Sequence, residues 1–386
     1  MLETQNNYNV PSNLRCEYMN ICFVMWGTDR TGGNNAIFHV ADRLALNGNR
    51  VTVVSAGLSN HGWFSFQSTL GFIYPEERLS KIRWKGKTVT ILQLLQGFLA
   101  RFIPGAEITK HKLLTNNIPG DSDVVIATYY ETAFAVQAYP SPSARKYYYV
   151  QHYEPVFFQD SIQKERVKQT YYFPFNWIVS SSWANKQLSE NIGKKGLVVI
   201  PGSDLKTYYP RSKRNGSPLR KIVSLGKSLP IKGLKYLLEA VEMVQKEIPT
   251  VQLVLYGNEP SIKDSSSLPI EYMVKPSDDE LAIIYSDADV VVTPSLFESS
   301  PSPPIEAMAC GAPLVTTRYG TEDYCFDNLN CLVVPPADSK ALADAIIRLL
   351  SDNELCLRLT GQAFNTVKNL TWDNTAKQFQ NAINGN

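Results

Sequence analysis

The sequence has few of the residues that build metal sites and disulfide frameworks. Only four histidines occur among 386 residues (His39, His61, His111 and His152), and none is paired at a metal-ligand spacing such as H-x-x-x-H. The six cysteines show no C-x-x-C spacing, which is typical of free thiols. We therefore expect no metal site and no disulfide.

Charge of one sign and long apolar runs are also missing. The 38 lysines and arginines balance 36 aspartates and glutamates to a net charge of +2, which argues against nucleic acid as a partner. The longest nearly uncharged apolar stretch, residues 88–100, is shorter than the ~18 residues of a membrane span. The first residues hold no apolar segment of about 7–15 residues, so we expect no secretory signal and a cytoplasmic location.

What is present is a two-part α/β pattern. Short runs rich in β-branched residues alternate with helical patterns, such as the apolar residues that recur every three or four positions over residues 232–248. Such alternation predicts parallel sheets covered by helices on both faces. Each half is therefore expected to be a Rossmann-like doubly wound domain, and the two domains to face each other across a cleft. The predicted strands begin near residues 20, 51, 123, 146, 176 and 197, and again near residues 221, 251, 271, 289, 313 and 331.

Residues 201–220 separate the two sets of strands. They are rich in proline, glycine, serine and basic residues and lack a sustained apolar period, as is typical of a domain linker. We predict a polar tail at residues 1–18, an N-terminal acceptor domain at 19–205, a C-terminal donor domain at 206–370, and a last helix at 371–386 that is a candidate to pack back on the N-terminal domain. Ligands of such sheets bind beyond the carboxyl ends of the strands.

Two glutamates follow the strand predicted near residue 289. Glu298 lies in the loop after the strand, and Glu306 is expected in the first turn of a short helix that Ser302 caps and Gly311 ends. An isolated glutamate there would be explained by the helix dipole, worth ~0.3–1 kcal/mol. A carboxylate at a strand's carboxyl end also suits two vicinal hydroxyls of a ribose or sugar.

The stretch from Glu298 through Glu306 to AMACGAPLVTT resembles the signature of retaining family-4 glycosyltransferases, which have the two-domain GT-B fold. The resemblance implies that Glu298 faces the hydroxyls of the transferred sugar and that Glu306 holds the nucleotide ribose. The family usually has Gly-aromatic-Gly after the first glutamate. This sequence departs from that pattern with Ser299, Ser300 and Pro301.

Two lysines follow the first strand of the second half. The family binds the donor diphosphate with an arginine and a lysine five residues apart, and this sequence has Lys227 and Lys232 at those places. Cations at a helix start suit a pyrophosphate, because charge-assisted contacts add to the helix dipole. The alternative is a pair of solvated surface lysines, which we consider less favourable beside the two glutamates.

The first half contributes a glycine pair and a histidine. Gly32 and Gly33 lie between a predicted strand and helix and permit close backbone approach to a phosphate or an acceptor. His152 ends a strand and opens the aromatic segment HYEPVFF; the resemblance implies a role close to the donor sugar, and the alternative is a packing histidine. Glu154 is a further cleft candidate.

The resemblance also implies residues that contact the donor through their backbone. Gly257, Met273 and Val274 are expected to line the nucleotide pocket. A phosphate or sugar loop is expected at Ser300, Pro301 and Ser302. The donor is then a nucleoside-diphosphate sugar that acts as co-substrate, with no separate cofactor.

We therefore predict a retaining glycosyltransferase of polysaccharide biosynthesis, moving a hexosyl or deoxyhexosyl group to a glycan, lipid-linked or other hydroxyl acceptor without a metal. A sugar-nucleotide epimerase of the same fold and a non-catalytic sugar-nucleotide-binding protein remain as alternatives. Residues 88–104 form either a core helix, which we favour, or an apolar face that gives weak peripheral contact with anionic lipid at the inner face of the membrane.

Overall fold

The computed structural model describes residues 18–78, 81–84, 87–90, 106–211, 219–265 and 268–385, which form two α/β domains. The N-terminal domain runs, in chain order, through β1 (Asn20–Met25), α1 (Gly32–Leu46), β2 (Arg50–Ser55), β3 (Gly71–Ile73), β4 (Lys81–Trp84), β5 (Lys87–Thr90), α2 (Ala106–Thr115), β6 (Val124–Ala127), α3 (Tyr130–Ala138), β7 (Arg145–Val150), α4 (Ser161–Thr170), β8 (Asn176–Val179), α5 (Ser182–Ile192) and β9 (Leu197–Val198).

The C-terminal domain follows the same alternation of strand and helix. It runs through β10 (Arg220–Leu225), α6 (Leu234–Glu247), β11 (Val251–Gly257), β12 (Ile270–Val274), α7 (Asp278–Asp287), β13 (Val290–Thr293), α8 (Ser302–Ala309), β14 (Leu314–Thr317), β15 (Leu332–Val334), α9 (Ser339–Ser351) and α10 (Asn353–Val367). A last helix, α11 (Trp372–Asn384), ends the described chain.

Each domain is built on one parallel sheet. In the described residues the strand order is β3-β2-β1-β6-β7-β8-β9 in the N-terminal sheet and β12-β11-β10-β13-β14-β15 in the C-terminal sheet. The order reverses beside β1 in one sheet and beside β10 in the other, so each domain has a switch point where the carboxyl ends of strands leave a crevice. The predicted pair of doubly wound domains is therefore confirmed.

Strand β1 shows why the N-terminal sheet is covered on both faces. Ile21, Phe23 and Met25 point to one apolar cluster, whereas Cys22 and Val24 point to another. All five side chains are buried, because successive residues of a strand face opposite sides of the sheet. A continuous apolar run of this kind is typical of a strand buried on both faces.

The helical period of residues 232–248 produces α6, which covers one face of the C-terminal sheet. Leu237, Ala240, Val241 and Val244 are its buried residues. They recur at three- and four-residue intervals, so they lie on one side of the helix. Each fully buried leucine or valine contributes about 1.5–3 kcal/mol relative to exposure.

The last helix packs on the N-terminal domain. Phe379 and Ile383 of α11 are fully buried in the same cluster as β1, and Trp372 stacks on His39 of α1 with ring centroids 4.3 Å apart. The two segments that connect the domains, one after β9 and one before α11, meet at Gly202. A Cβ there would be 2.3 Å from the carbonyl carbon of Thr371. The chain therefore crosses between the domains twice.

All the strands expected from the sequence occur, and the structure adds β3 and the antiparallel pair β4–β5. Of the segment 88–104, residues 88–90 belong to β5 and residues 91–104 lie outside the described residues. Within the described ranges, no helix combines the length and apolar character needed to span a bilayer. Five cysteines of the described chain are free thiols: Cys22, Cys310, Cys325, Cys331 and Cys356.

Candidate active site

Two predicted site residues meet at the carboxyl end of the C-terminal sheet. The Nζ atom of Lys232, in a short turn before α6, forms an ion pair with Oε1 of Glu298, in the loop after β13. The Ser295 hydroxyl donates to the same oxygen at 2.9 Å. The Lys232 and Glu298 side chains are 23% and 15% exposed. A cation and a carboxylate therefore compensate each other here.

Glycines allow the loops around this pair to pack closely. Gly233 has φ +69°, and a Cβ there would lie 2.0 Å from the carbonyl oxygen of Pro294. Gly320 has φ +88°, and a Cβ there would lie 2.2 Å from the carbonyl oxygen of Glu298. Both positions require glycine for conformation and for space. The loop carrying Glu298 is thereby held between the start of α6 and the loop after β14.

Ser300 adopts a backbone conformation that usually belongs to glycine. Its φ is +68°, which costs an L-residue about 1–2 kcal/mol. Its N–H donates to the carbonyl oxygen of Gly320 at 2.9 Å, and Glu298 N–H donates to the carbonyl of Tyr319 at 3.1 Å. The loop therefore keeps a glycine-like path although the sequence has serine there.

Helix α8 begins one residue earlier than the sequence predicted. Pro301 is the N-cap and Ser302 is the first helical residue, so Ser302 does not cap the helix and Glu306 is the fifth helical residue, beyond the first turn. The physical reason is that Pro303 and Pro304 fit the first turn, where no backbone N–H is required, so the helix begins earlier.

Glu306 is held in a low-polarity position between α7 and α8. The hydroxyl of Tyr285 donates to its Oε2 at 3.4 Å. Burial raises the pKa of Glu306 to about 7; the neighbouring charge of Asp278 adds to this rise, and Arg30 opposes it. The carboxyl group of Glu306 therefore changes its charge near neutral pH.

Lys227 is half-buried just beyond β10, beside a fixed carboxylate. Ser228 donates to Oε2 of Glu259 through its N–H at 2.9 Å and through its hydroxyl at 2.5 Å. These hydrogen bonds lower the pKa of Glu259, and the charge of Lys227 adds to the effect. Lys227 thus lies within electrostatic range of Glu259, a residue of the loop after β11 that the sequence did not single out.

His152 lies against the same site from the N-terminal domain. Its ring centroid is 4.5 Å from that of Phe157, 5.1 Å from that of Trp183 and 6.0 Å from that of Phe297, which precedes Glu298 in the C-terminal domain. Burial lowers the pKa of His152 to about 4. Its Nδ1–H donates to the carbonyl of Tyr153 at 3.3 Å. The imidazole is therefore neutral near pH 7, with Nε2 as a hydrogen-bond acceptor.

The glycine pair opens α1 next to this histidine. Thr31 caps the helix by accepting from Asn34 N–H at 3.1 Å. A Cβ at Gly33 would lie 2.8 Å from Oε1 of Gln151, whereas a Cβ at Gly32 would meet no described atom within 4 Å. The end of the Gln151 side chain therefore packs closely over Gly33, and Gly32 leaves open space at the helix start.

The three residues predicted for the nucleotide pocket lie together at the ends of two neighbouring strands. Gly257 of β11 is paired with Val274 of β12, and Met273 is paired with Tyr256. Val274 is 57% exposed, so the edge of the sheet presents an apolar side chain beside the glycine backbone.

Glu154, expected to face the cleft, is buried instead. Its Oε2 accepts from Tyr130 N–H at 2.9 Å and its Oε1 accepts from the Tyr148 hydroxyl at 2.9 Å. Tyr130 begins α3, so the carboxyl group turns under the start of that helix, where backbone N–H groups are free. Burial raises the pKa of Glu154 to about 8. The cleft prediction for Glu154 was wrong.

Contacts between the domains were missed by the sequence interpretation. Ser299 Oγ lies 3.1 Å from Ser180 Oγ and 2.9 Å from Ser181 Oγ. Oδ2 of Asp323 accepts from the N–H of Ser182, the first residue of α5, at 2.8 Å. Ser181 could have been recognised as a helix cap, but its partners lie more than 100 residues away and leave no local signal.

An arginine and an aspartate also bridge the domains. Arg30 Nη2, in the loop between β1 and α1, is 3.0 Å from Oδ1 of Asp278 in the first turn of α7. The hydroxyl of Tyr208 donates to the same oxygen at 3.3 Å. The Arg30 and Asp278 side chains are 55% and 62% exposed, so this pair is open to solvent.

The sequence of the C-terminal domain matches a known family. Residues 220–352 match the model described as Glycosyl transferases group 1. The likeness to this family is carried by the C-terminal domain. The MMP alpha-(1->4)-mannosyltransferase of Mycolicibacterium hassiacum is 34% identical over 212 residues, which are 52% of this chain and 51% of the relative. A D-inositol 3-phosphate glycosyltransferase of Corynebacterium urealyticum is 28% identical over 207 residues, 47% of this chain and 49% of the relative. The chain thus spans about half the length of these curated relatives.

Solved structures resemble the chain along most of its length. Sucrose-phosphate synthase from Thermosynechococcus elongatus has a TM-score of 0.73 at 19% identity, over 95% of this chain and 98% of that chain. Anabaena Alr3699/HepE in complex with UDP-glucose has a TM-score of 0.73 at 14% identity, over 96% of this chain and 100% of that chain. This likeness shows the fold alone: the two Rossmann-like domains are arranged as in the GT-B architecture.

Proposed function

We propose that the protein is a retaining glycosyltransferase, which moves a hexosyl or deoxyhexosyl group from a nucleoside-diphosphate sugar to a hydroxyl of a glycan or lipid-linked acceptor. The observation that carries the proposal is the ion pair of Lys232 and Glu298 at the carboxyl end of the sheet, in a domain of the glycosyl transferases group 1 family. The names of the relatives and the UDP-glucose complex of a structural neighbour support it.

Donor binding to the C-terminal domain replaces the contact between Lys232 and Glu298 by contacts of each residue with the donor. In the described structure Lys232 satisfies Glu298. When a donor binds, its diphosphate takes the contact with Lys232, and a sugar hydroxyl donates to Glu298. Lys227 adds a second cation, and the ionised Glu306 accepts the ribose hydroxyls. Because the pair is already held by Ser295 and by the packed loops, little reorganisation is required.

Transfer requires stabilisation of the negative charge that develops on the departing diphosphate. A preorganised hydrogen-bond donor lowers the activation free energy by about 2.7–4 kcal/mol in other enzymes. We propose that Lys232 has this role here. His152 is neutral, so its Nε2 accepts a hydrogen bond from the donor sugar rather than supplying a proton. We propose departure and attack on the same face of the sugar, which retains its configuration.

The acceptor is placed on the wall of the N-terminal domain, beyond Gly32 and the aromatic rings around His152. We propose that the protein works in the cytoplasm, and that a lipid-linked acceptor brings it to the inner face of the membrane. Co-sedimentation with vesicles that contain anionic lipid tests this contact; the absence of binding would remove it while leaving glycosyl transfer intact.

The decisive experiment identifies the donor and then measures the release of free nucleoside diphosphate. Calorimetry with UDP-, GDP- and ADP-sugars identifies the donor, since ligand binding stabilises the folded state by RT ln(1 + [L]/Kd). Free nucleoside diphosphate is then expected only when an acceptor is present. Conversion of the sugar nucleotide without an acceptor would indicate an epimerase, and binding with no turnover would indicate a binding protein.

We also propose that no metal ion is required, because lysines and helix N-termini supply the positive charge that a diphosphate needs. Activity is expected to be unchanged in EDTA. Full inactivation by EDTA, reversed by added Mg²⁺ or Mn²⁺, would contradict this part of the proposal.

A further inference from the structure

Two buried tyrosines lie behind the carboxyl group that is proposed to bind ribose. Tyr285, on α7, and Tyr256, near the end of β11, have their hydroxyl oxygens 2.6 Å apart. The Tyr285 hydroxyl also donates to Oε2 of Glu306 at 3.4 Å. Both tyrosines are buried, whereas Glu306 is partly exposed. The three groups therefore form a chain from the core of the C-terminal domain to the carboxyl group.

The direction of this hydrogen-bond chain follows from its chemistry. An ionised carboxylate only accepts hydrogen bonds, so Tyr285 donates its one proton to Glu306. Tyr256 is then the donor between the two hydroxyl groups. Burial raises the pKa of both tyrosines, so both remain protonated donors near neutral pH. Successive hydrogen bonds of this kind polarise one another, so Tyr256 strengthens the bond from Tyr285 to Glu306.

The bond from Tyr285 acts against the burial of Glu306. Burial raises the pKa of Glu306 to about 7, and hydrogen bonds from Ser302 and Tyr285 oppose that rise, because a hydrogen bond to a carboxylate favours its ionised form. A carboxylate has about four lone-pair positions, so the bond to Tyr285 leaves others for two vicinal hydroxyls of a ribose. The 3.4 Å contact is long for a hydrogen bond between oxygens, as such bonds often are before a substrate binds.

We propose that Tyr285, oriented by Tyr256, is a positioning residue that keeps the carboxylate of Glu306 ready to accept the ribose hydroxyls of the donor. The inference rests on the proposed function of the site. The tyrosines act through Glu306 and their hydroxyl groups carry the effect. Their rings pack edge to face with centroids 5.8 Å apart, and phenylalanine preserves that packing while it removes the hydroxyl.

Other groups also lie within electrostatic range of Glu306. Its charged neighbours are Asp278 on α7 and Arg30 in the β1–α1 loop. Its further neutral neighbours are the Tyr208 hydroxyl and the Cys310 thiol. Burial raises the pKa of Tyr208 and raises that of Cys310 to about 12, so both stay neutral between pH 6 and pH 9. The Glu306→Gln variant identifies the part of a pH profile that belongs to Glu306.

Calorimetry with UDP-, GDP- and ADP-glucose between pH 6 and pH 9 tests the chain. Tyr285→Phe is expected to move the midpoint of the affinity profile upward by about one pH unit, because it removes a donor to the ionised carboxylate. The affinity is then about fivefold below that of the wild type at pH 7 and close to it at pH 9.

Tyr256→Phe tests the second link, and it keeps the inference falsifiable if Tyr285→Phe does not fold. It is expected to move the midpoint in the same direction by less, because Tyr256 acts through Tyr285. The double variant is expected to have the same midpoint as Tyr285→Phe alone. A shift equal to the sum of the two single shifts would mean that Tyr256 acts by another route, which would overturn the chain.

The pH profile separates positioning from a structural role. An equal loss of affinity at every pH in Tyr285→Phe would indicate a loosened core and would overturn the inference, as would an unchanged profile. Tyr139→Phe is the matched control, since it removes a buried hydroxyl that donates to the carbonyl of Pro119 at 2.7 Å in the N-terminal domain. Its midpoint is expected to equal that of the wild type.

Failure of the inference differs from failure of the proposed function. If the wild type binds none of the three sugar nucleotides, the proposed function fails and the inference fails with it. If the wild type binds one of them and the midpoint in Tyr285→Phe does not move, only the inference fails.

Discussion

The two domains share one sheet topology but present different chemistry to the cleft. The C-terminal wall carries charged side chains beyond the ends of strands: Lys227, Lys232 and Glu298 in loops and turns, and Glu306 in helix α8. The N-terminal wall presents the neutral His152 among aromatic rings, together with open space at Gly32. The same crevice of a doubly wound sheet can therefore hold either a charged or an uncharged partner, and the loop residues decide which.

The difference agrees with what each wall is proposed to bind. The diphosphate is the same charged group whichever sugar it carries, so only a few arrangements of side chains can bind it. An acceptor has no such common group. The family match accordingly covers residues 220–352, in the C-terminal domain.

The largest effect is expected at Lys232, which tests whether the charged wall drives transfer. Lys232→Ala is expected to lower turnover on the order of 10²–10³-fold, since it removes one preorganised charge-stabilising donor. Turnover with the identified donor measures the loss, and circular dichroism checks the fold. Lys235→Ala is the control, because Lys235 lies on α6 with its side chain 77% exposed. Near wild-type turnover in Lys232→Ala would mean that another residue stabilises the departing diphosphate.

The roles proposed for the two glutamates would divide the charged wall into a ribose end at Glu306 and a sugar end at Glu298. Glu306→Gln is expected to weaken binding of the free nucleoside diphosphate about tenfold, because a neutral amide accepts the ribose hydroxyls less well. Glu298→Gln is expected to leave that affinity intact and to lower turnover, since its partner is the sugar. Calorimetry with nucleotide alone separates the two, and equal losses of affinity would refute the division.

Protonation of Glu306 should make the charged wall sensitive to pH. With a pKa of about 7, the carboxyl group of Glu306, which is proposed to bind ribose, is mostly protonated at pH 6 and mostly ionised at pH 8. Affinity for a sugar nucleotide, whose phosphates do not titrate in this range, is expected to rise about tenfold over that interval. The Glu306→Gln variant should show a flat profile. A sloping profile in that variant would locate the titrating group elsewhere.

The serine and aspartate contacts between the walls should have a smaller effect. Asp323→Ala removes the carboxylate that accepts from Ser182 N–H across the cleft and is expected to raise the KM for donor about two- to tenfold. Asp338→Ala is the control, since Asp338 caps α9 by accepting from Ala341 N–H inside the C-terminal domain. That control should lose stability while keeping its KM. A matching rise in KM in both variants would indicate general loosening rather than a contact between domains.

The smallest effect on activity is expected for Glu154, the buried carboxyl group below the N-terminal wall, whose titration instead affects stability. Its pKa is about 8 in the folded protein and lower in the unfolded chain, so the folded state binds a proton that the unfolded state releases. The free energy of unfolding is expected to fall as pH rises toward 8, by up to about 1.4 kcal/mol per pH unit. Denaturant titrations of Glu154→Gln should lack this component, with activity retained. An identical pH profile in the two proteins would mean that Glu154 is ionised in the folded state.

The fold was predictable from the chain because its signals are local. The apolar run of β1 and the helical spacing of α6 are each written in consecutive residues, and burial on a sheet or helix face follows from their period. The strand β3 and the pair β4–β5 were missed because their sequences, GFI, KIRW and KTVT, contain no uninterrupted apolar run like that of β1. A short segment takes its structure from its neighbours rather than from its own pattern.

The sequence by itself determined the alternation of strands and helices, and it placed Glu298 in a loop after a strand and Lys232 and Glu306 near the starts of helices. The tertiary structure decided which side chains meet: Lys232 and Glu298 are 66 residues apart, and Arg30 and Asp278 are 248 apart. It also decided that Glu154 is buried, although it is only two residues from His152. Periodicity depends on neighbours along the chain, whereas contact, burial and pKa depend on groups that only folding brings together.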